Sequence, residues 1–386
     1  MAGKLLIRSI LLIAGEASGD RIASRAIRAA KRLAHQREEE ISFFGIGGDE
    51  CAAEGMECLH TAREMSVVGF VEVARRFAFF RRVLLEMTRA LDERKPDALL
   101  LIDYPGFNIR LAREAKKRGI RVIYYVSPQV WAWHKSRIHE LKRVVDEMLV
   151  IFPFEEKLYR DAGMKNAHFV GHPLVERIDE ERERWSDRAA FAATHGLDPE
   201  RKWLLVFSGS RTEEVRRLLP MMAEAAMDFS AKHQMLPILV ESASIDSAYY
   251  DKYVRKPLTR FRDSNATHEL MSHSEMGILK SGTTTLEAAL LGLPGVICYR
   301  THPLTFFIGK KLVKLPYIGL ANIVLGKKLY PELLQHDVSA SAISRELETI
   351  LTHRDEFKRA LVGAADALRL PGVGPSQRVA EILLAS

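Results

Sequence analysis

SILLIAGEASGD, residues 9 to 20, decides how the chain is built. An apolar run from Ile10 to Ala14 breaks into a turn that holds two glycines, Gly15 and Gly19, and two carboxylates, Glu16 and Asp20. Beyond it Ile22, Ala26, Ala30 and Ala34 recur at helical spacing. A short apolar run, a glycine turn and then a period of 3.6 residues mark a buried strand feeding a helix. In open sheets made of such units, ligands lie in the crevice at the carboxyl ends of the strands, so this turn faces a site.

The alternation continues along the chain. Strands are read near 40–44, 97–102, 120–126, 147–151 and 167–170, with helical periods between them. After GHPL (171–174) the charged stretch IDEERERW reads as a linker, and a second series opens at WLLVF (203–207), followed by PILVE, MGILK and GVICY. Such alternation predicts doubly wound parallel sheets, and 386 residues suit two domains. The predicted fold is α/β, with two Rossmann-like domains facing across a cleft. One comprises residues 1–173 and takes back the closing helix 374–386; the other is 174–373.

Composition narrows the function. Cys51, Cys58 and Cys298 are too scattered for a disulfide framework or a zinc knuckle, so a reducing, cytosolic setting is expected. Arg8 interrupts the apolar core that a signal peptide would need, and no run approaches the roughly 18 to 20 apolar residues that span a bilayer. The dinucleotide fingerprint is missing, because GIGGDE (45–50) has Glu50 where the third glycine belongs; no P-loop is present either. A net charge of +7 favours an acidic partner, but no nucleic-acid recognition motif accompanies it. One placement of that charge is concentrated: residues 68–87 interleave Phe70, Phe77, Phe79 and Phe80 with Arg75, Arg76, Arg81 and Arg82. Val73, Phe77, Phe80 and Leu84 would form one helical face, which leaves two readings open: a core-packed helix with a solvated basic flank, or an interfacial helix on anionic lipid.

Two turns in the second half repeat one design. VFSGSRTEEV (206–215) runs from strand to small-residue turn to helix, with Ser210 and Glu213 in capping-box register. LKSGTTTLEAALLGLP (279–294) does the same with Thr284 and Glu287, and ends on Gly292 and Pro294. Helix N-termini bind anions, and Arg211 could add a bidentate phosphate contact, so the pair suits a diphosphate. Good caps alone would use the same residues. In the first half, Asp103 ends the apolar strand in DALLLIDYPGFN (97–108), where a carboxylate is costly to desolvate unless it caps a helix or is put to use. Trp131, Trp133, His134, Lys135 and Arg137 follow the next strand, either packing under the loop or lining an apolar surface.

Taken in order, AGEASGD, VGFVEV, IDYPGFN, YVSPQVWAW, FPFE, VGHPL, SGSR, SGTTTLE and LPYIGLANIVLG resemble the lipid-A-disaccharide synthase family, a class of two-domain (GT-B type) glycosyltransferases, over nearly the entire chain. The resemblance implies transfer of 2,3-diacylglucosamine from UDP-diacylglucosamine to the 6-hydroxyl of diacylglucosamine 1-phosphate, in lipid A biosynthesis, with UDP released. It implies that Gly209, Ser210, Arg211, Ser281, Gly282, Thr283, Thr284, Glu287 and Asn322 hold the UDP-sugar. Asp103 would be the general base, and Glu16, Ser18 and Gly19 would shape the acceptor side. The basic aromatic segment would meet the cytoplasmic face of the inner membrane, making the protein peripheral. No D-x-D triplet occurs, so no metal and no separate cofactor are expected. Oligomeric state is left open, a homo-oligomer included. Two departures stand out: Ser208 where many relatives have proline, and Gly106 where many have a second acid. Another UDP-N-acetylglucosamine enzyme would share the nucleotide half but not VGFVEV or YVSPQVWAW. A non-catalytic lipid-binding protein would not need Asp103.

Overall fold

The computed structural model describes residues 7–65, 77–131, 137–254, 258–303, 306–307 and 316–385. The chain divides into two compact units, Met1–Pro173 with Leu368–Ser386, and Leu174–Ala367. Return to the first unit thus begins at Leu368, ahead of the closing helix. Each unit is built round one parallel sheet.

The first sheet has seven strands: β1 (Ile7–Ala14), β2 (Glu40–Gly47), β3 (Glu57–Thr61), β4 (Ala98–Ile102), β5 (Arg121–Tyr125), β6 (Glu147–Val150) and β7 (Ala167–Phe169). Their order is β3-β2-β1-β4-β5-β6-β7. The second sheet has six: β8 (Trp203–Phe207), β9 (Leu236–Val240), β10 (Thr259–Phe261), β11 (Met276–Lys280), β12 (Gly295–Tyr299) and β13 (Glu332–Leu334), in the order β10-β9-β8-β11-β12-β13. Strand order reverses between β1 and β4 in one sheet and between β8 and β11 in the other. Those two switch points are where a doubly wound sheet leaves a crevice.

The helices that bear on the site are α1 (Ala17–Gln36), α2 (Phe77–Arg94), α3 (Pro105–Lys117), α4 (Pro173–Arg182), α5 (Thr212–His233), α6 (Thr267–Ser272), α7 (Thr283–Leu290), α8 (Leu320–Leu325) and α9 (Pro375–Leu383). Two expectations change here. The stretch read as a linker begins as helix α4. On α2 the fully buried residues are Val83, Met87, Ala90 and Leu91; Phe80 and Leu84 of the expected stripe pack half-buried against the same core, while Phe77 is 58% exposed. The fourth member of that stripe, Val73, lies outside the described residues, as do Phe70, Arg75, Arg76, Trp133, His134 and Lys135. The closing helix α9 does pack on α1, burying Val379, Ala380, Ile382 and Leu383.

Candidate active site

In the first unit the switch point brings together the β1 turn and the end of β4. Asp103 and Tyr104 follow β4 with φ of 45° and 46°, two successive non-glycine residues in the left-handed region. Such a backbone costs on the order of 1–3 kcal/mol per residue and persists only where its surroundings over-determine it. Here they do. The Asp103 carbonyl accepts from the Tyr124 hydroxyl at 2.5 Å and from Asn108 Nδ2 at 2.7 Å, while the Asp103 N–H donates to the Tyr125 carbonyl at 3.2 Å. The Tyr104 hydroxyl donates to the Met65 carbonyl at 2.9 Å, and Pro105 opens α3 directly after it. Asp103 stays reachable by water on one side while protein crowds the rest. That desolvation, followed by the charge of Glu16, pushes its carboxyl up to about 6, against a smaller pull from the Tyr104 N–H.

The β1 turn divides its labour differently from the expectation. Glu16 and Ser18 are exposed, but Gly19 lies against Ala14 and Ile102 with room for a methyl group, so it serves helix-on-sheet packing. Gly15 is the glycine that contact demands: a Cβ there would come within 2.8 Å of the Tyr104 ring. Asp20 turns away from the crevice and accepts backbone N–H bonds from Gly48 (2.7 Å), Glu50 (3.1 Å) and Cys51 (3.1 Å). The GIGGDE loop is thus filled by the chain's own carboxylate. Further along the sheet edge, Trp131 Nε1 and Ser127 Oγ both donate to Glu155 Oε1 at 2.9 Å, and burial drives that carboxyl up to about 7 against these bonds. Trp131 itself is half-buried, edge-on to Phe152 and Phe154.

In the second unit the switch point gathers the turns after β8 and β11. Gly209 at φ 117° and Gly282 at φ 153° make the two bends. The anticipated capping boxes do not form. Arg211, not Ser210, is the N-cap residue of α5, and Glu213 pairs outward with Arg216 and Arg217. Glu214 reaches back instead, accepting from the Ser210 N–H at 3.1 Å and pairing with Lys280 at 2.9 Å. Gly282 is the N-cap of α7, and the hydroxyl that bonds its carbonyl belongs to Thr285, not Thr284. Among the described residues, the backbone N–H groups of Thr283 and Thr284 have no partner. They remain free to donate to an anion.

Asn322 is the other correction. It is fully buried on α8: Nδ2 donates to the Tyr330 carbonyl and Glu332 Oε1, and Oδ1 accepts from the Leu329 and Tyr330 N–H groups, all at 2.8 Å. An amide with every one of these bonds made holds the loop and has nothing left to offer a ligand. Glu332 completes the arrangement by accepting the Ile318 and Gly319 N–H groups, and Ser281 Oγ donates to the Ile318 carbonyl at 2.9 Å. Glu287 differs from all of these. Among the described residues the one cation within ion-pair distance of its carboxylate is His268, at 3.7 Å.

A profile of the family described as lipid-A-disaccharide synthetase matches residues 10–373. The chain belongs to the lipid-A-disaccharide synthase family. The lipid-A-disaccharide synthase of Trichlorobacter lovleyi is 40% identical to it over 98% of this chain and 97% of its own length, and that of Myxococcus xanthus 38% over 97% and 96%. The fold is of the GT-B type. Among solved structures, a UDP-GlcNAc 2-epimerase from Neisseria meningitidis bound to UDP-GlcNAc overlays with a TM-score of 0.63 at 8% identity, covering 98% of each chain. A calicheamicin glycosyltransferase overlays at 0.61 and 14%, again covering 98% of each. In this synthase-family chain, Glu214, Lys280, His268 and Glu332 are the site residues that sequence reading missed. Lys280 carried a usable signal, a cation closing an apolar strand immediately before a glycine turn. The others depend on contacts between segments far apart in the chain.

Proposed function

We infer that this chain transfers 2,3-diacylglucosamine from its UDP derivative to the 6-hydroxyl of 2,3-diacylglucosamine 1-phosphate, giving the β-1′,6-linked tetraacyl disaccharide 1-phosphate and UDP. The observation that carries the reading is the family match, which runs through both units with no large part left over. In this reading the first unit takes the acceptor and the second the nucleotide.

Asp103 accepts the proton of the acceptor hydroxyl as its oxygen attacks the anomeric carbon, and the bond from that carbon to the UDP oxygen breaks on the opposite face. An alcohol is a weak acid, so proton transfer accompanies attack. A carboxylate raised to about 6 is a stronger base than an ordinary one and is still ionised at neutral pH. The leaving diphosphate takes the free N–H groups of Thr283 and Thr284, the N-terminus of α5 and the Arg211 guanidinium; Glu287 accepts from the ribose hydroxyls. These donors carry the developing charge without calling on a metal. Phe77, Arg81, Arg82 and Leu85, all exposed on α2, supply a peripheral contact with the cytoplasmic face of the inner membrane.

The test is UDP release from the two acylated sugars in the presence of EDTA, comparing wild type with Asp103→Ala. Release that survives EDTA and collapses in the variant, with UDP affinity kept, supports the reading. A wild type that releases no UDP overturns it, and a variant equal to wild type removes Asp103 from the chemistry.

A further inference from the structure

Three helices of the second unit meet at His268. It lies on α6, is 4% exposed, and stands between Glu181 at the end of α4 and Glu287 on α7. Nδ1 is 2.6 Å from Glu181 Oε2, and Nε2 is 3.7 Å from Glu287 Oε1. Arg177, one turn earlier on α4, donates to the other oxygen of Glu181 at 2.6 Å, so that carboxylate is held from two sides. Among the described residues no second cation stands within ion-pair distance of Glu287. A buried imidazole between two carboxylates is stable only as a double donor, since a neutral ring would turn a bare nitrogen towards one of them.

We propose that His268 is a positioning residue for nucleotide recognition: as an imidazolium anchored on Glu181, it fixes Glu287 so that the carboxylate keeps both oxygens open for the two ribose hydroxyls. This rests on the reading above that Glu287 meets the ribose. The charges agree with it. Burial alone would lower the His268 pKa, but the two carboxylates outweigh burial and raise it. Burial alone would raise Glu181, but His268 and Arg177 hold it down at about 2. Both carboxylates thus favour the charged ring, which offers Glu287 a counter-ion at 3.7 Å. Glu287 sits on the helix whose first N–H groups face the diphosphate, so fixing its rotamer orders the ribose and phosphate contacts together.

The probes are UDP and 2′,3′-dideoxy-UDP, with dissociation constants measured by calorimetry on the full chain. Wild type should prefer UDP, and Glu287→Gln should lose that preference. His268→Asn keeps an amide at the Nδ1 position for Glu181 but gives Glu287 nothing; it should bind UDP roughly tenfold more weakly and leave dideoxy-UDP within about twofold of wild type. His268→Gln, whose amide reaches the Nε2 position, should recover part of the preference and guards against loss of folding in the shorter variant. Equal weakening of both nucleotides, or no weakening of either, would make His268 a packing residue and overturn the proposal. If Glu287→Gln keeps the full preference, the ribose assignment itself fails and takes the proposal with it. If only the His268 variants keep it, the assignment stands and the proposal falls.

Discussion

The Tyr124 hydroxyl donates to the backbone carbonyl of Asp103 at 2.5 Å, from a ring with no exposed surface. A neighbouring strand thereby holds the turn that aims the candidate base. Tyr124→Phe removes that one bond and leaves Asn108 as the remaining donor. Stability should fall by about 1 kcal/mol. The turnover number should fall by roughly tenfold, because a base displaced by a fraction of an ångström loses alignment before it loses basicity. Thermal unfolding and steady-state kinetics on the same variant check both.

Asp103 works as a base only when ionised. With its carboxyl at about 6, the rate should rise with pH through that value, about tenfold per unit below it, and level off above. Glu16 contributes to the elevation, so Glu16→Gln should move the acid limb to lower pH. An unchanged limb in that variant would assign the titration to another group.

Arg211 and Lys280 are placed for different duties. The Arg211 side chain is 73% exposed and only loosely paired with Glu214 at 3.8 Å, whereas Lys280 is half-buried and bound to Glu214 at 2.9 Å. Arg211→Ala should weaken UDP binding roughly tenfold and flatten its dependence on salt. Lys280→Met strands a carboxylate beside the same turn and should cost more, in stability as well as affinity. Titrations at two ionic strengths with thermal unfolding distinguish the pair.

Arg81 and Arg82 are exposed on α2 beside Phe77 and Leu85. Reversing both arginines to glutamate should reduce binding to anionic vesicles by more than about thirtyfold at low salt, since each basic residue near such a surface contributes about 1 kcal/mol. The melting temperature should hardly move. Sedimentation with vesicles of graded anionic content gives the answer, and retention of full binding would locate the membrane contact elsewhere.

What could be read beforehand follows burial. The ten strands expected from the sequence are all present, most of them as unbroken apolar runs that a central position requires. The three that were missed, β3, β10 and β13, are all edge strands, and β3 has no fully buried residue. An edge strand with one wet face carries little pattern. At the site, the reading found the strand ends because glycine turns follow them, but it put the capping one residue early. Ser210 and Thr284 satisfy the spacing rule, and only the backbone path round Gly209 and Gly282 shows that Glu214 and Thr285 make the bonds. Asn322 looked like a ligand contact because polar groups near a turn usually are available. Its four partners come from the segment that folds over it. His268 was invisible for a related reason, since Glu181 and Glu287 flank it from 87 residues upstream and from another helix.

The return of the chain to its first unit sets an order of assembly. His172 donates its N–H to the Leu368 carbonyl at 3.0 Å, so the outgoing and returning segments are stitched side by side, and α9 then covers α1. During synthesis α1 must wait for α9, which is made far later. Everything from Leu174 to Ala367 can fold first, as an independent passenger, while α1 keeps an apolar flank uncovered. A chain in which α9 has not yet docked therefore leaves the α1 face it covers bare, and that is the form a chaperone or a protease would meet.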